Sequence, residues 1–237
     1  MTHPHPLPHT RTKTLKFPTA IGAARFVAKE IDKLVRARNA AGKSTVLGLA
    51  TGSTPVGLYR ELIRLHKEEN LDLSRVVTFN LDEYYPMPKE SQHSYFRWMH
   101  ETFFNHVNVK WENIHIPDGG LRPEEVDDAC AEYEERIKAA GGIDIQILGI
   151  GRTGHIAFNE PGSPQNSRTR LVTLDSITRR DAADGFFGEK NVPHHALTMG
   201  VASILEARRV FLMAFGEHKA AVVYKAVEQA PSEAVSA

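Results

Sequence analysis

The sequence predicts an α/β protein, a three-layer α/β/α sandwich on a mainly parallel sheet. Three observations carry this. Apolar strand-like runs alternate with helical stretches about five times along the chain, the pattern of βα units whose crossovers leave the strands parallel. The run Ile143–Ile150 carries no charge after Asp144, as a central strand covered on both faces does. It stops at Gly149-Ile150-Gly151, where the backbone is free to turn. Open α/β sheets place ligands beyond the carboxyl ends of such strands.

Composition narrows the class. The chain has 237 residues, with 29 basic and 29 acidic side chains and no formal net charge. Bulk electrostatics therefore gives no reason to expect nucleic acid or a membrane surface as partner. No apolar run approaches the ~20 residues of a membrane span, and the N-terminus lacks the apolar core of a signal peptide. The single Cys130 allows no intrachain disulfide and fits a reducing cytoplasm.

Residues 1–17, rich in Pro, His and Thr, read as a flexible or extended arm. No metal site is expected from His3, His5 and His9. Residues 18–237 read as one domain. Ala20–Asn39 is an amphipathic helix, with Ile21, Ala24, Val27, Ile31, Leu34 and Val35 near helical spacing. Thr45–Leu49 is a short strand that runs into Ala50-Thr-Gly-Ser-Thr-Pro55, and a helix follows from Val56 to Glu69. Strand, hydroxyl-rich loop and helix make an anion-binding arrangement around Gly52, Ser53 and Thr54. The same loop also reads as a plain helix entry, with Ser53 or Thr54 as N-cap and Pro55 in the first turn. Arg75–Asn80 is the next strand. Asp82 and Glu83 follow it directly, beside Tyr84 and Tyr85. Spacing alone favours a surface turn or helix cap there, against a partly desolvated carboxylate base.

Ser94–Phe104 reads as an aromatic-rich helix that supplies core. Pro123–Ala140 reads as a helix with acids early and bases late, which suits its dipole. After the central strand, His155, Asn159 and Glu160 lie within six residues, as candidates for acid–base work or as a solvated loop. Arg168–Leu174 reads as a strand, Arg179–Phe187 as helical, Ala196–Gly200 as extended and Val201–Ala207 as a helix. Arg209–Ala214 is a further strand, and Lys219–Gln229 the last helix. Lys219 sits in a first helical turn, against the dipole preference, and hints at an anion.

The ordered set GLATGSTP, TFNLDEYY, GHIAFNEPGSP, SRTRLVTL, ALTMGV and GEHKA, spread over Phe17–Glu228, resembles the glucosamine-6-phosphate deaminase family. The resemblance implies a Rossmann-like sandwich that converts glucosamine 6-phosphate to fructose 6-phosphate and ammonia, without metal or cofactor. It implies a sugar phosphate as ligand and allows a homo-oligomer. It makes Asp82 the base that moves a proton between C2 and C1 of the opened sugar. It makes His155 the group that assists ring opening and Glu160 its carboxylate partner. Gly52, Ser53, Thr54 and Lys219 would hold the phosphate.

Three departures stand against the family pattern. Thr153 occupies the place of an Asp two residues before the His, so a neutral hydroxyl replaces a carboxylate partner of the imidazole. A hydroxyl stabilises imidazolium less than a charged acceptor does, and slower ring opening is expected. Ala183-Asp184-Gly185 stands where the family carries a phosphate-binding Arg, with Arg179 or Arg180 as substitutes. The family pattern also continues with about one more strand and helix, so either the sequence is truncated after Ala237 or the protein is an atypical member. Ser163, Arg170 and Thr173 match a family effector site, whereas Pro164 and Val172 do not. Two other readings stand beside the deaminase: a 6-phosphogluconolactonase-like hydrolase, and a sugar-phosphate-binding regulator with weakened catalysis.

Overall fold

The computed structural model describes residues 5–7, 10–230, 232 and 235–237. His3 and His9 of the arm lie outside the described residues. Strands β1 (His5–Leu7) and β2 (Thr14–Lys16) pair antiparallel within the arm. Helix α1 (Ala20–Ala40) is capped by Thr19, whose hydroxyl accepts from Gly22 N. Then come β3 (Thr45–Leu49), α2 (Val56–Glu69), β4 (Val76–Asn80), β5 (Asp82–Tyr85) and α3 (Tyr95–Thr102). They are followed by β6 (Ile114–His115), α4 (Val126–Ala139), β7 (Ile145–Leu148) and β8 (Arg170–Thr173). Last are α5 (Ser176–Ala182), β9 (His195–Thr198), α6 (Val201–Leu205), β10 (Arg209–Leu212) and α7 (Ala220–Glu228).

Five strands form a parallel sheet in the order β10-β7-β3-β4-β6. Numbered by their order in the chain, they read 5-4-1-2-3 across the sheet, the doubly wound arrangement. Its switch point lies between β3 and β7. The two faces follow from alternation along the strands. Leu47, Leu49, Ile145 and Ile147 pack with α1, α2 and α3, against Ile31, Leu58, Leu62 and Met99. Val46 and Leu148 face the other way, toward Tyr133 and Ile137 of α4 and Ile204 of α6. The aromatic load expected as core in the third helix is divided: Phe103 and Phe104 are buried, while Trp98 is partly so.

The structure corrects the reading of residues 81–85 as a surface turn or cap. Asp82–Tyr85 is a fully buried strand that pairs antiparallel with β9, and β9 pairs antiparallel with β8. The extended runs near 168–174 and 196–200 therefore build a separate three-stranded sheet rather than extending the parallel one. Covered on both faces, DEYY shows no alternation of apolar and polar residues, so its strand character is hidden. The helix expected at 179–187 begins earlier, because Asp175 accepts from Ile177 N at 2.7 Å and caps α5 at Ser176. Two-residue β6 left no pattern to read.

At the opposite edge, Asp144 is 3 % exposed. It accepts from Val46 N at 2.9 Å, from Arg208 Nη1 at 3.1 Å and from Arg38 Nη2. It joins β3, β7 and α1 below the central strands. Asp144→Ala leaves the buried Val46 N–H without its acceptor, while both arginines regain water. A loss of about 2–3 kcal/mol in urea melts is the expected result.

Candidate active site

The loops that leave β3 and β7 emerge side by side at the switch point. A Cβ built on Gly149 would lie 3.7 Å from Thr54 Oγ1. Gly52 takes φ 91°, a conformation that favours glycine. Pro55, not Ser53 or Thr54, is the N-cap of α2, and no side chain caps that helix. The loop enters α2 as expected, but the hydroxyls of Ser53 and Thr54 do not cap it. Lys219, at the cap of α7, donates from Nζ to Ile150 O at 2.9 Å. The Ala50–Thr54 loop and Lys219 thus both adjoin the stretch Gly149–Ile150.

The β7 loop then folds tightly upon itself. Gly151 N donates to His155 O at 2.8 Å. A Cβ on Gly151 would fall 2.1 Å from His155 Cε1 and Nε2, so the imidazole occupies the space that any side chain at 151 would need. His155 Nδ1 is 2.9 Å from Thr153 Oγ1 and 3.2 Å from Glu160 Oε2. Thr153 also donates to Glu160 Oε2 at 3.2 Å. Thr178, on α5, donates to Glu160 Oε1 and lies 3.5 Å from His155 Nδ1. Burial by itself would raise the Glu160 pKa. The bonds from His155, Thr178 and Thr153, together with the imidazole charge, outweigh it and hold the carboxyl below its usual range. Ala157 takes φ 52°, a left-handed turn in a non-glycine residue. Asn159, fully buried, braces that turn by donating to Ile156 O and Met199 O.

Asp82 reaches the same edge from β4. Leu81 N donates to Leu49 O at 3.0 Å and Met199 N donates to Leu81 O at 2.7 Å. Thr198, the partner of Asp82 in β9, accepts from Phe158 N at 3.1 Å. The pair Thr198–Met199 therefore ties the Asp82 strand to the loop that carries His155 and Glu160. Asp82 is 6 % exposed. Burial, and then the charge of Glu83, pushes its carboxyl up to about 8, with no hydrogen bond to offset them. Glu83 accepts from the backbone N–H of Tyr84, Tyr95 and Phe96. It holds the start of α3, and burial still raises its carboxyl to about 7 against those bonds. Two adjacent acids thus do different work, one free and one clamped. The buried Asn80 side chain, two residues earlier, has no partner for either polar atom among the described residues.

Thr178 and Thr198 were not legible in the sequence. Both come from distant elements and carry no local signal. Glu83 was noted only as the neighbour of Asp82. Arg179 and Arg180 do not join the Lys219 cluster. Arg179 Nη2 reaches Glu189 O, and Arg180 Nε lies along its own helix on Ser176 O. Asp184 is exposed. Arg170 is engaged internally, with Asn159 Oδ1 at 2.9 Å and Ser163 Oγ at 3.2 Å. Among the described residues no group of three or more His, Cys, Asp or Glu side chains could hold a metal. No helix is long and apolar enough to cross a membrane.

Residues 18–237 match the family described as glucosamine-6-phosphate isomerases/6-phosphogluconolactonase. The chain belongs to this family. Members of the glucosamine-6-phosphate isomerase/6-phosphogluconolactonase family among the curated proteins include glucosamine-6-phosphate deaminase 2 of Giardia intestinalis. It is 48 % identical over 218 residues, covering 91 % of this chain and 80 % of that protein. A putative glucosamine-6-phosphate deaminase-like protein of Bacteroides thetaiotaomicron is 43 % identical over 231 residues. The match takes in 95 % of this chain but only 35 % of that relative, so the chain spans about a third of its length. Among solved structures, a monomeric glucosamine-6-phosphate deaminase superposes with a TM-score of 0.87 at 40 % identity, covering 92 % of this chain and 88 % of that one.

Proposed function

We propose that the chain converts glucosamine 6-phosphate and water to fructose 6-phosphate and ammonia. The observation that carries this reading is that Thr198 and Met199 tie the strand of the buried Asp82, whose pKa is raised, to the loop in which Glu160 orients His155. His155 takes the proton of the C1 hydroxyl and returns it to the ring oxygen, which opens the pyranose. Asp82 then moves the C2 proton to C1, turning the C2 amine into an imine. Water adds at C2 and ammonia leaves. A carboxylate of raised pKa suits the task, because basicity rises with pKa while the ionised form remains available near neutral pH. The loop Gly52-Ser53-Thr54 and Lys219 hold the phosphate, where the α2 N-terminus and one ammonium favour an anion. Cradle residues beside a carbon acid–base pair fit a phosphorylated sugar better than a neutral one. The relatives support the amino sugar as that substrate.

The test is ammonia release from glucosamine 6-phosphate by the purified chain. Turnover is expected, and Lys219→Met should raise KM about tenfold or more at a near-constant kcat. Absence of ammonia under conditions where the sugar phosphate still binds by calorimetry would replace this reading with that of a binding protein.

A further inference from the structure

The His155–Glu160 pair is completed by a hydroxyl that lies in none of the motifs. We propose that Thr178 is a positioning residue: with Thr153 it fixes the Glu160 carboxylate and, through it, the tautomer of His155, so the base is assembled only while α5 is docked. This rests on the reading of His155 as the ring-opening base.

Each threonine hydroxyl has one hydrogen to donate. Thr178 gives its hydrogen to Glu160 Oε1, and Thr153 gives its own to Glu160 Oε2. With its hydrogen on Glu160 Oε2, Thr153 Oγ1 meets His155 Nδ1 at 2.9 Å as an acceptor. Nδ1 must therefore carry a proton, shared with Glu160 Oε2 at 3.2 Å. In the neutral ring Nε2 is then left with the free lone pair. Without Thr178, Oε1 loses its donor and the carboxylate can rotate away from Nδ1 and Thr153, which frees the Thr153 hydrogen to turn toward His155 Nδ1. The other tautomer, with its proton on Nε2, then competes.

Geometry supports a built contact rather than a chance one. Thr178 is 6 % exposed. Its helix is capped by Asp175. The Arg152–Asp181 ion pair joins the site loop to the last turn of α5. Phe186, just beyond α5, packs edge-on against Tyr84 at 4.9 Å. The groups facing Glu160 are few. His155 comes from its own loop. Asp181, already paired with Arg152, lies one turn along α5 from Thr178. The uncharged Ser236 touches Glu160 O at 3.2 Å. Two hydroxyls from separate elements thus orient the carboxylate without placing a second negative charge beside it.

The test uses the full chain with Thr178→Val, Thr178→Ser and Thr178→Ala. Nitrogen-15 NMR of the histidine ring reads the His155 tautomer, and ammonia release is followed across pH. In the parent, the neutral ring should be protonated at Nδ1. Thr178→Val should lower kcat by about 10- to 100-fold with KM within about twofold, and mix the tautomers. Asp82 still sets the limb that rises toward pH 8, and a second fall should appear at the acid end, near the ordinary carboxyl range, because Glu160 loses a bond that favours its ionised form. Thr178→Ser should restore all three readouts. Should Thr178→Val disturb folding, the contrast between Thr178→Ala and Thr178→Ser decides the matter. A valine variant with parental tautomer and pH profile would overturn the proposal. So would a loss of kcat that serine fails to rescue. A parent that releases no ammonia would end the deaminase reading, and the tautomer comparison would still decide the role of Thr178.

Discussion

Asp82→Asn should reduce ammonia release by about a thousandfold, within the range general-base catalysis supplies, and should leave sugar-phosphate binding within severalfold. The amide keeps the shape of the side chain but cannot take a proton from C2. The pH dependence of the parent follows from the same carboxyl. It acts as a base only when ionised, and burial with the Glu83 charge puts its pKa at about 8. In the free enzyme, kcat/KM should therefore rise about tenfold per unit as pH approaches 8 from below, and level off above it. Stability should run the other way. The folded carboxyl holds its proton between its ordinary value of 3.8 and about 8, where the unfolded one has lost it. The native state binds the extra proton in that window, so this group makes stability fall as pH rises through it. Asp82→Asn should thus melt at or above the parent temperature at pH 8 while losing turnover. A variant with unchanged ammonia release would remove Asp82 from the mechanism.

Gly151→Ala should reduce turnover by about a hundredfold or more, the effect of misplacing a reacting group by about an ångström. The new methyl would stand 2.1 Å from His155 Nε2 and Cε1. Gly151 is absent from the left-handed region, so alanine meets no backbone penalty there. The ring is the part that must yield, and it would leave its contacts with Thr153 and Glu160. Melting should stay within a few degrees of the parent, since the clash is with one side chain at the loop. The comparison is turnover against thermal unfolding on the same sample. Undiminished turnover would show that the imidazole can move without consequence, and would exclude His155 as the ring-opening base.

How far the site could be read in advance depended on sequence distance. His155 and Glu160 share one loop with Thr153, so their proximity was visible as spacing. The Ala50–Pro55 loop was visible because strand, hydroxyl-rich turn and helix occur in succession, and Lys219 because a base in a first helical turn runs against the dipole preference. Thr178 and Thr198 were not. One acts across a helix packed from outside, the other across an antiparallel pairing, and neither has a local partner to give it away. Asp82 was visible as a residue but not as an environment. Two acids beside two tyrosines look like surface, and only the pairing of β5 with β9 removes them from water.

By itself the sequence determined the parallel sheet, the helices on its faces and the identity of the carboxyl-edge loops. These follow from periodicity and from short-range turn chemistry, which are local. Only the tertiary structure decided which neutral hydroxyls orient Glu160, that Glu83 is clamped by three backbone N–H groups while Asp82 is not, and that residues 82–85 belong to a second sheet. The physical reason is that desolvation and hydrogen-bond direction depend on what packs around a group. In this chain that surrounding comes from Tyr95 and Phe96 beyond the next loop for Glu83, from Thr178 on α5 for Glu160, and from the distant strand β9 for Asp82.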